Sequence, residues 1–379
     1  MKKLRLELVE CNKVDSYNIN SWLHIAVTAG IEELEIYLPH IPKEPYNLPC
    51  SLLFNGSESS TRYLHIAICA FRPTAELGCW RSLTRYLVCC SGFTFLRVSL
   101  CRSLQVIDIG APNISTFHFK GSLVLISWKS ALQVKNVDME CLEFGQSNYV
   151  LHMLVPSFCP MRQLLKDLSY PSLMRYVLKM ISTPMLPSKF RRLKYLHISL
   201  IGDESISPDY DYLSLVSFLE ACPCLETFIF EVRQPDMKHD SIIGDSSCLK
   251  QLPQHHHNNL RSMTIVGFCS TKSLVELTCH IVENASLLER LTLDTIHGCH
   301  SSGGCSINKY RRAYYTGSGI RTWAPPDRCL PMGRDILMEA PRALSAIRTH
   351  VEGKVPSRVM LKVMEPCSWC HAVEHLYAF

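Results

Sequence analysis

The chain has 379 residues, 47% of them apolar and 19% charged, enough for a continuous core and incompatible with a disordered protein. Lys plus Arg number 39 against 34 Asp plus Glu, a net charge of +5 that excludes a dedicated nucleic-acid binder. No run nears the ~18 uninterrupted apolar residues a bilayer crossing needs, and Arg5, Glu7 and Glu10 break the N-terminal stretch that would otherwise serve as a secretory leader.

From the first residue onward one phrase recurs, apolar at its first, fourth and sixth positions. It reads Met1-x-x-Leu4-x-Leu6, Ile31-x-x-Leu34-x-Ile36, Thr61-x-x-Leu64-x-Ile66 and Phe93-x-x-Leu96-x-Val98 in the first hundred residues. Its alternation sends side chains to one face of a short strand. Between Ser103 and Met139 the copies crowd together as Leu104-x-x-Ile107-x-Ile109, Ile114-x-x-Phe117-x-Phe119 and Val134-x-x-Val137-x-Met139, separated by Gly110-Ala-Pro-Asn and Gly121-Ser. Such connections leave no room for helices, so one sheet is expected to run on almost uninterrupted through Gly and Pro turns. From Cys141 to Pro187 the pattern fades to one strand at Leu173-x-x-Tyr176-x-Leu178. It resumes at Leu193-x-x-Leu196-x-Ile198, Leu225-x-x-Phe228-x-Phe230, Leu260-x-x-Met263-x-Ile265 and Leu288-x-x-Leu291-x-Leu293. Three- and four-residue apolar steps predict helices over Leu213 to Ala221 and Lys272 to Glu283. After His297 the period stops, and a helix within Asp335 to His350 and a strand within Ser357 to Val363 form a cap.

One such unit cannot bury its own apolar face, whereas stacked units can. A period of roughly 28 to 35 residues is that of a leucine-rich repeat. The fold expected is therefore an α/β leucine-rich-repeat solenoid, a curved parallel sheet with helices or loops on the convex side.

Four phrases carry a more particular likeness: Leu104-Gln-Val-Ile-Asp-Ile-Gly-Ala-Pro-Asn-Ile-Ser-Thr-Phe-His-Phe, Ser182-Thr-Pro-Met-Leu-Pro-Ser-Lys-Phe, Phe190-Arg-Arg-Leu-Lys-Tyr-Leu, and Leu225-Glu-Thr-Phe-Ile-Phe followed by Met237-Lys-His-Asp. With them the chain resembles the large plant family of F-box proteins that carry leucine-rich repeats and an FBD-like C-terminal region. The resemblance spans nearly the whole chain and specifies a scaffold with no active site. It implies an adaptor, in which an F-box binds the Skp subunit of a cullin ubiquitin ligase and the repeats hold a protein marked for ubiquitination. The first residue already opens a repeat strand, and Leu48-Pro-Cys-Ser-Leu-Leu-Phe shares only a Leu-Pro pair with an F-box opening. The expectation is a repeat region without a recognisable F-box, over residues 1–296, then an irregular basic and aromatic loop over 297–332 and an FBD-like cap over 333–379. The expected role is non-enzymatic protein binding, with an F-box-less scaffold or decoy, or a truncated product without ligase activity, as alternatives.

Nineteen cysteines, an odd number at irregular spacing, read as reduced buried thiols and locate the chain in the cytoplasm or nucleus. Cys367-Ser-Trp-Cys370-His371 satisfies the C-x-x-C-H pattern of haem attachment, but haem also needs an axial ligand, an apolar pocket and an export route. Zinc needs four ligands; Cys305, Cys329 or His375 would have to join Cys367 and Cys370, and no second pair stands at a recognisable spacing. Metal binding there is the remote alternative, and no metal or cofactor is expected. The imidazoles of His255-His256-His257 point apart along the chain, and the Tyr and Arg residues of Lys309 to Arg321 offer too few phosphate contacts for nucleic acid. Phosphate loops, nucleophile elbows and His-Glu-x-x-His helices are absent from the sequence, which argues against an enzyme. Specificity is assigned instead to strand positions between the core residues: Lys2, Arg5, Glu33, Glu35 and, above all, Arg62, His65, Arg97, Lys194, His197, Glu226, Arg261 and Arg290. The partner expected is a protein on the concave face, with Skp and cullin subunits beyond it and no membrane.

Overall fold

The computed structural model describes residues 3–8, 16–28, 30–37, 61–67, 85–88, 93–101, 106–121, 125–128, 133–143, 190–202, 211–233, 241–243, 249–250, 256–296, 313–315, 321–323 and 334–366. The chain divides into two compact units, one of residues 1–198 with 221–224, the other of residues 199–220 with 225–379.

In the first unit the repeated phrase becomes strands β1 (Lys3–Glu7), β2 (Glu33–Tyr37), β3 (Tyr63–Ala67), β4 (Arg85–Val88), β5 (Phe95–Ser99), β6 (Val106–Ile109), β7 (Thr116–Gly121), β8 (Leu125–Trp128) and β9 (Asn136–Glu143). β1, β2, β3, β5, β7 and β9 lie side by side and parallel. Their register stacks the fourth position of every phrase, Leu4, Leu34, Leu64, Leu96, Phe117 and Val137, and likewise the sixth, Leu6, Ile36, Ile66, Val98, Phe119 and Met139. From β2 onward both ladders are buried, so the apolar period of the sequence is the core of the coil. Each coil is fastened to the next in the same way. The carbonyl of Glu32 accepts the N–H groups of Arg62 and Tyr63, that of Arg62 those of Thr94 and Phe95, that of Thr94 those of Ser115 and Thr116, and that of Ser115 those of Lys135 and Asn136.

Between β1 and β2 runs helix α1 (Ser16–Thr28), which the sequence reading did not anticipate. It buries Ile19, Leu23 and Ala26, a stripe at four- and three-residue steps, and the chain leaves it through Gly30 at φ 71°, a left-handed conformation that costs glycine little.

Of the crowded copies between Ser103 and Met139, the one at Leu104 does not extend the same sheet. β6 pairs with β4 and β8 in a second parallel sheet, while β7 and β9 remain in the first. For β6 and β8 the reason is length: β5, β7 and β9 begin at residues 95, 116 and 136, whereas β2 and β3 begin at 33 and 63. A strand advances ~3.3 Å per residue against 1.5 Å for a helix, so the short coil closes with an extended return leg. Ile107, Ile109 and Ile126 on that leg are buried, and the Trp128 ring meets Phe117 edge-on at 5.3 Å and Phe190 edge-on at 5.6 Å.

Strand β10 (Tyr195–Gly202) follows, and its residues 195–198 belong to the first unit, where Lys194 and Tyr195 donate to the Lys135 carbonyl. The second unit contains α2 (Ser214–Glu220), β11 (Thr227–Arg233), β12 (Ser262–Val266), α3 (Lys272–Asn284), β13 (Arg290–Asp294), β14 (Ala313–Tyr315), β15 (Arg321–Trp323), α4 (Arg334–Ala346) and β16 (Met360–Met364). β11, β12, β13 and β16 are parallel neighbours, stacking Phe228, Met263, Leu291 and Leu361, then Phe230, Ile265, Leu293 and Val363. α2 and α3 stand where the apolar steps predict helices. α3 is buried from Leu274 to Val282. A π-helical turn over Ile347–Val351 extends α4, and there the Cys279 thiol donates to the His350 carbonyl at 3.3 Å. Glu339 of α4 is buried and accepts the Ser270 N–H at 2.7 Å. Within 297–332, read from the sequence as irregular, β14 and β15 pair antiparallel.

Candidate functional site

In β1, β2, β3, β5, β7 and β9 the fifth position of the phrase lies between two apolar ladder residues and therefore projects to the opposite, outer face. The parallel register aligns these positions as Arg5, Glu35, His65, Arg97, His118 and Asp138. His197 of β10 joins the row by bonding to Asp138. The third positions make a flanking row of Lys3, Glu33, Tyr63, Phe95, Thr116 and Asn136; the seventh make another of Glu7, Tyr37, Ala67, Ser99, Lys120 and Glu140.

At the β1 end the charges are mutually satisfied. Lys3 Nζ lies 2.9 Å from Glu35 and 3.2 Å from Glu33, and Arg5 lies 2.9 Å from Glu7 and 3.8 Å from Glu35. The Arg5 guanidinium also sits over the Tyr37 ring, 5.0 Å from its centre. In the middle, His65 is buried, with Nδ1 2.8 Å from the Tyr37 hydroxyl and Nε2 3.4 Å from Ser99 Oγ. Burial, reinforced by the Arg97 charge, pulls its imidazole down to about 4, so it is neutral at physiological pH. Beside it the rings of Tyr63 and Phe95 stack at 4.3 Å and 9°, and Phe95 lies 5.2 Å from the His118 ring. All three rings are half-buried, leaving part of their area to solvent.

At the far end Asp138 is held between two imidazoles, Oδ2 at 2.9 Å from His118 Nδ1 and Oδ1 at 2.8 Å from His197 Nδ1. An ionised carboxylate only accepts, so both Nδ1 atoms carry hydrogen and donate. Burial alone would raise the Asp138 carboxyl, but the hydrogen bonds from His118 and His197 hold it well below the usual carboxylate range. Lys120 pairs with Glu140 at 2.6 Å and Asn136 donates to Thr116 at 3.2 Å, so the surroundings of the triad are fixed as well. The arrangement has the chemistry that noncovalent recognition uses. Stacked rings offer contact area at small entropic cost, and interlocked charges keep their geometry before any ligand arrives.

The corresponding face of the second unit is chemically different. Its middle row reads Ile229, Thr264, Thr292 and Lys362, flanked by Thr227, Ser262, Arg290 and Met360. Its other flank reads Glu231, Val266, Asp294 and Met364, and among the described residues it has no ring stack like that of the first unit.

Of the residues singled out from the sequence, Arg5, Glu35, His65, Arg97 and His197 come together in the middle row of the first unit, with Glu33 in a flanking row. Arg62 is exposed just ahead of β3 and Lys194 just ahead of β10. In the second unit Glu226 and Arg261 precede β11 and β12, with Arg261 2.6 Å from Glu289, and the exposed Arg290 opens β13. These three are not part of the first unit's row. The sequence reading overlooked Tyr63, Phe95, His118 and Asp138. His118 lies between Phe117 and Phe119, and Asp138 between Val137 and Met139, so the rule that selects His65 selects them too. The motif Cys367, Cys370 and His371, its companions Cys305, Cys329 and His375, the Leu48-Pro segment and the strand at Leu173 lie outside the described residues.

Parallel strands in a common register, buried apolar ladders and an outer row of polar and aromatic side chains define a leucine-rich-repeat solenoid, an α/β architecture that suggests a protein-interaction role. The chain belongs to the family described as "At1g61320/AtMIF1, LRR domain", whose family model matches residues 1–94 and 87–368. Comparison with curated proteins and with solved structures found no match.

Proposed function

We propose that the chain is a non-enzymatic protein-binding module that engages its partner through the outer face of the first unit's sheet. The observation that carries this reading is the row from Arg5 to His197, in which a half-exposed ring stack lies between two sets of interlocked charges. Interface anchors are typically large aromatic side chains and arginines in preorganised surroundings. The described cysteines favour the cytoplasm or nucleus: Cys222, Cys269 and Cys279 are buried thiols. The test uses the intact tagged chain and a Tyr63→Asp/Phe95→Asp variant as baits in plant cells. A protein retained by the former and lost from the latter supports the reading, and an identical set on both baits contradicts it.

The finer reading is a substrate-recognition region of an SCF-type ubiquitin ligase adaptor. It rests on the resemblance of the phrases at Leu104, Ser182, Phe190 and Leu225 to F-box proteins with leucine-rich repeats. Co-purification of Skp and cullin subunits with the intact chain is the expected result. Partners recovered without them would favour an F-box-less scaffold or decoy.

A further inference from the structure

Among the described residues the charged side chains of the middle row are paired with one exception. Glu35 is engaged by Lys3 and Arg5, Arg5 also by Glu7, and Asp138 by His118 and His197. Arg97 is exposed and has no carboxylate within ion-pair distance among the described residues. Its neighbours in the row are His65, which is buried and bonded to Tyr37, and His118, which is committed to Asp138. On its own strand Phe95 stands two residues earlier, hence on the same face, half-exposed and stacked on Tyr63.

We propose that Arg97 receives a single carboxylate from an extended acidic segment of the protein partner, while an aromatic or aliphatic side chain two residues away in that segment covers the Tyr63–Phe95 stack. The proposal rests on the protein-binding reading above and names the partner's chemistry. A guanidinium matches a carboxylate with two parallel hydrogen bonds, and side chains two apart on an extended peptide repeat at the spacing of Phe95 and Arg97. A polyanion fits less well. Lys3, Arg5 and Lys120 are already paired with Glu33, Glu35, Glu7 and Glu140, so among the described residues of the three rows Arg97 alone offers a cation, and one phosphate contact supplies little affinity.

The experiment is selection of phage-displayed random peptides on the intact chain, followed by titration of the selected peptides against the native chain and the Arg97→Gln, Arg97→Glu and Tyr63→Asp/Phe95→Asp variants. Circular dichroism establishes that each variant folds. The expected peptides carry one Asp or Glu two positions from an aromatic or aliphatic residue and weaken roughly tenfold or more on Arg97→Gln. Selection on Arg97→Glu should enrich Lys or Arg at the same position. Peptides that lack an acidic residue, or that bind Arg97→Gln unchanged while failing on Tyr63→Asp/Phe95→Asp, would overturn the proposal and leave the binding face intact. Peptides insensitive to all variants, or no peptides at all, would overturn both. Displacement of the selected peptides by oligouridylate would replace the acidic segment with a polyanion and overturn the proposal.

Discussion

His65 offers a quantitative test of how the middle row is built. It is 6% exposed, and burial, with the Arg97 charge second, takes its imidazole from 6.5 down to about 4. Because the folded value lies below the unfolded one, the unfolded chain takes up the proton first. The stability linked to this site is therefore fully present above pH 6.5 and declines as the pH falls toward 4. By linkage the loss reaches about 2–3 kcal/mol on going from about pH 7 to about pH 4.5. Asp138 titrates lower and contributes little in that window. His65→Gln keeps a polar group facing Tyr37 and Ser99 but does not titrate. Urea unfolding at the two pH values should therefore show the variant losing about 2–3 kcal/mol less than the native chain, whatever its offset at neutral pH. Equal losses in both proteins would refute the assignment of a buried, neutral imidazole to this position.

Further consequences can be measured in the same way. Phe117 is fully buried and meets Trp128 edge-on, so Phe117→Ala should lower unfolding stability by about 4 kcal/mol; a change within experimental error would contradict the double-sheet packing. Asp138→Asn removes both charge-assisted hydrogen bonds and should cost about 2 kcal/mol at neutral pH. Since the folded carboxyl titrates below its ordinary value of 3.8, the native chain should lose this contribution as the pH falls below that value, and Asp138→Asn should lack that acid limb. Burial pushes the Cys269 and Cys279 thiols up to about 11, so iodoacetamide should label them only after urea is added, whereas the part-exposed Cys224 should react in the folded chain, as peptide mass spectrometry would report. Glu339→Ala leaves the buried Ser270 N–H without its acceptor and should cost about 1–3 kcal/mol, with Glu339→Gln retaining an oxygen and losing less.

The repeated phrase was legible because its fourth and sixth positions are the core itself. Leu64 and Ile66, or Met263 and Ile265, are recognisable without knowing their neighbours, and α3 could be read from the steps joining Leu274, Leu277 and Ile281. Other elements left a weaker trace. In α1 the buried Ile19, Leu23 and Ala26 are mixed with exposed Tyr17, Trp22 and Ile25, so no one-sided apolar stripe stands out in sequence. Ile107 and Ile109 form a strand whichever sheet they join; only the coil length, with β7 beginning so soon after β5, assigns them to the return leg. The site was legible in part for a related reason. His65, Arg97 and His197 are conspicuous in their phrases, but the significance of Asp138 arises from register, which brings His118 and His197 to either side of it from distant points in the sequence. Pairing across strands is a property of the stacked coils and is written in no single repeat.

The most direct test of the central claim is site-specific photo-crosslinking in plant cells, with benzoylphenylalanine introduced in place of Phe95 and, separately, in place of the exposed Ile25 on α1. If the outer face of the first unit holds the partner, a discrete protein adduct forms at position 95 and not at position 25. Adducts at position 25 with none at position 95 would contradict the account.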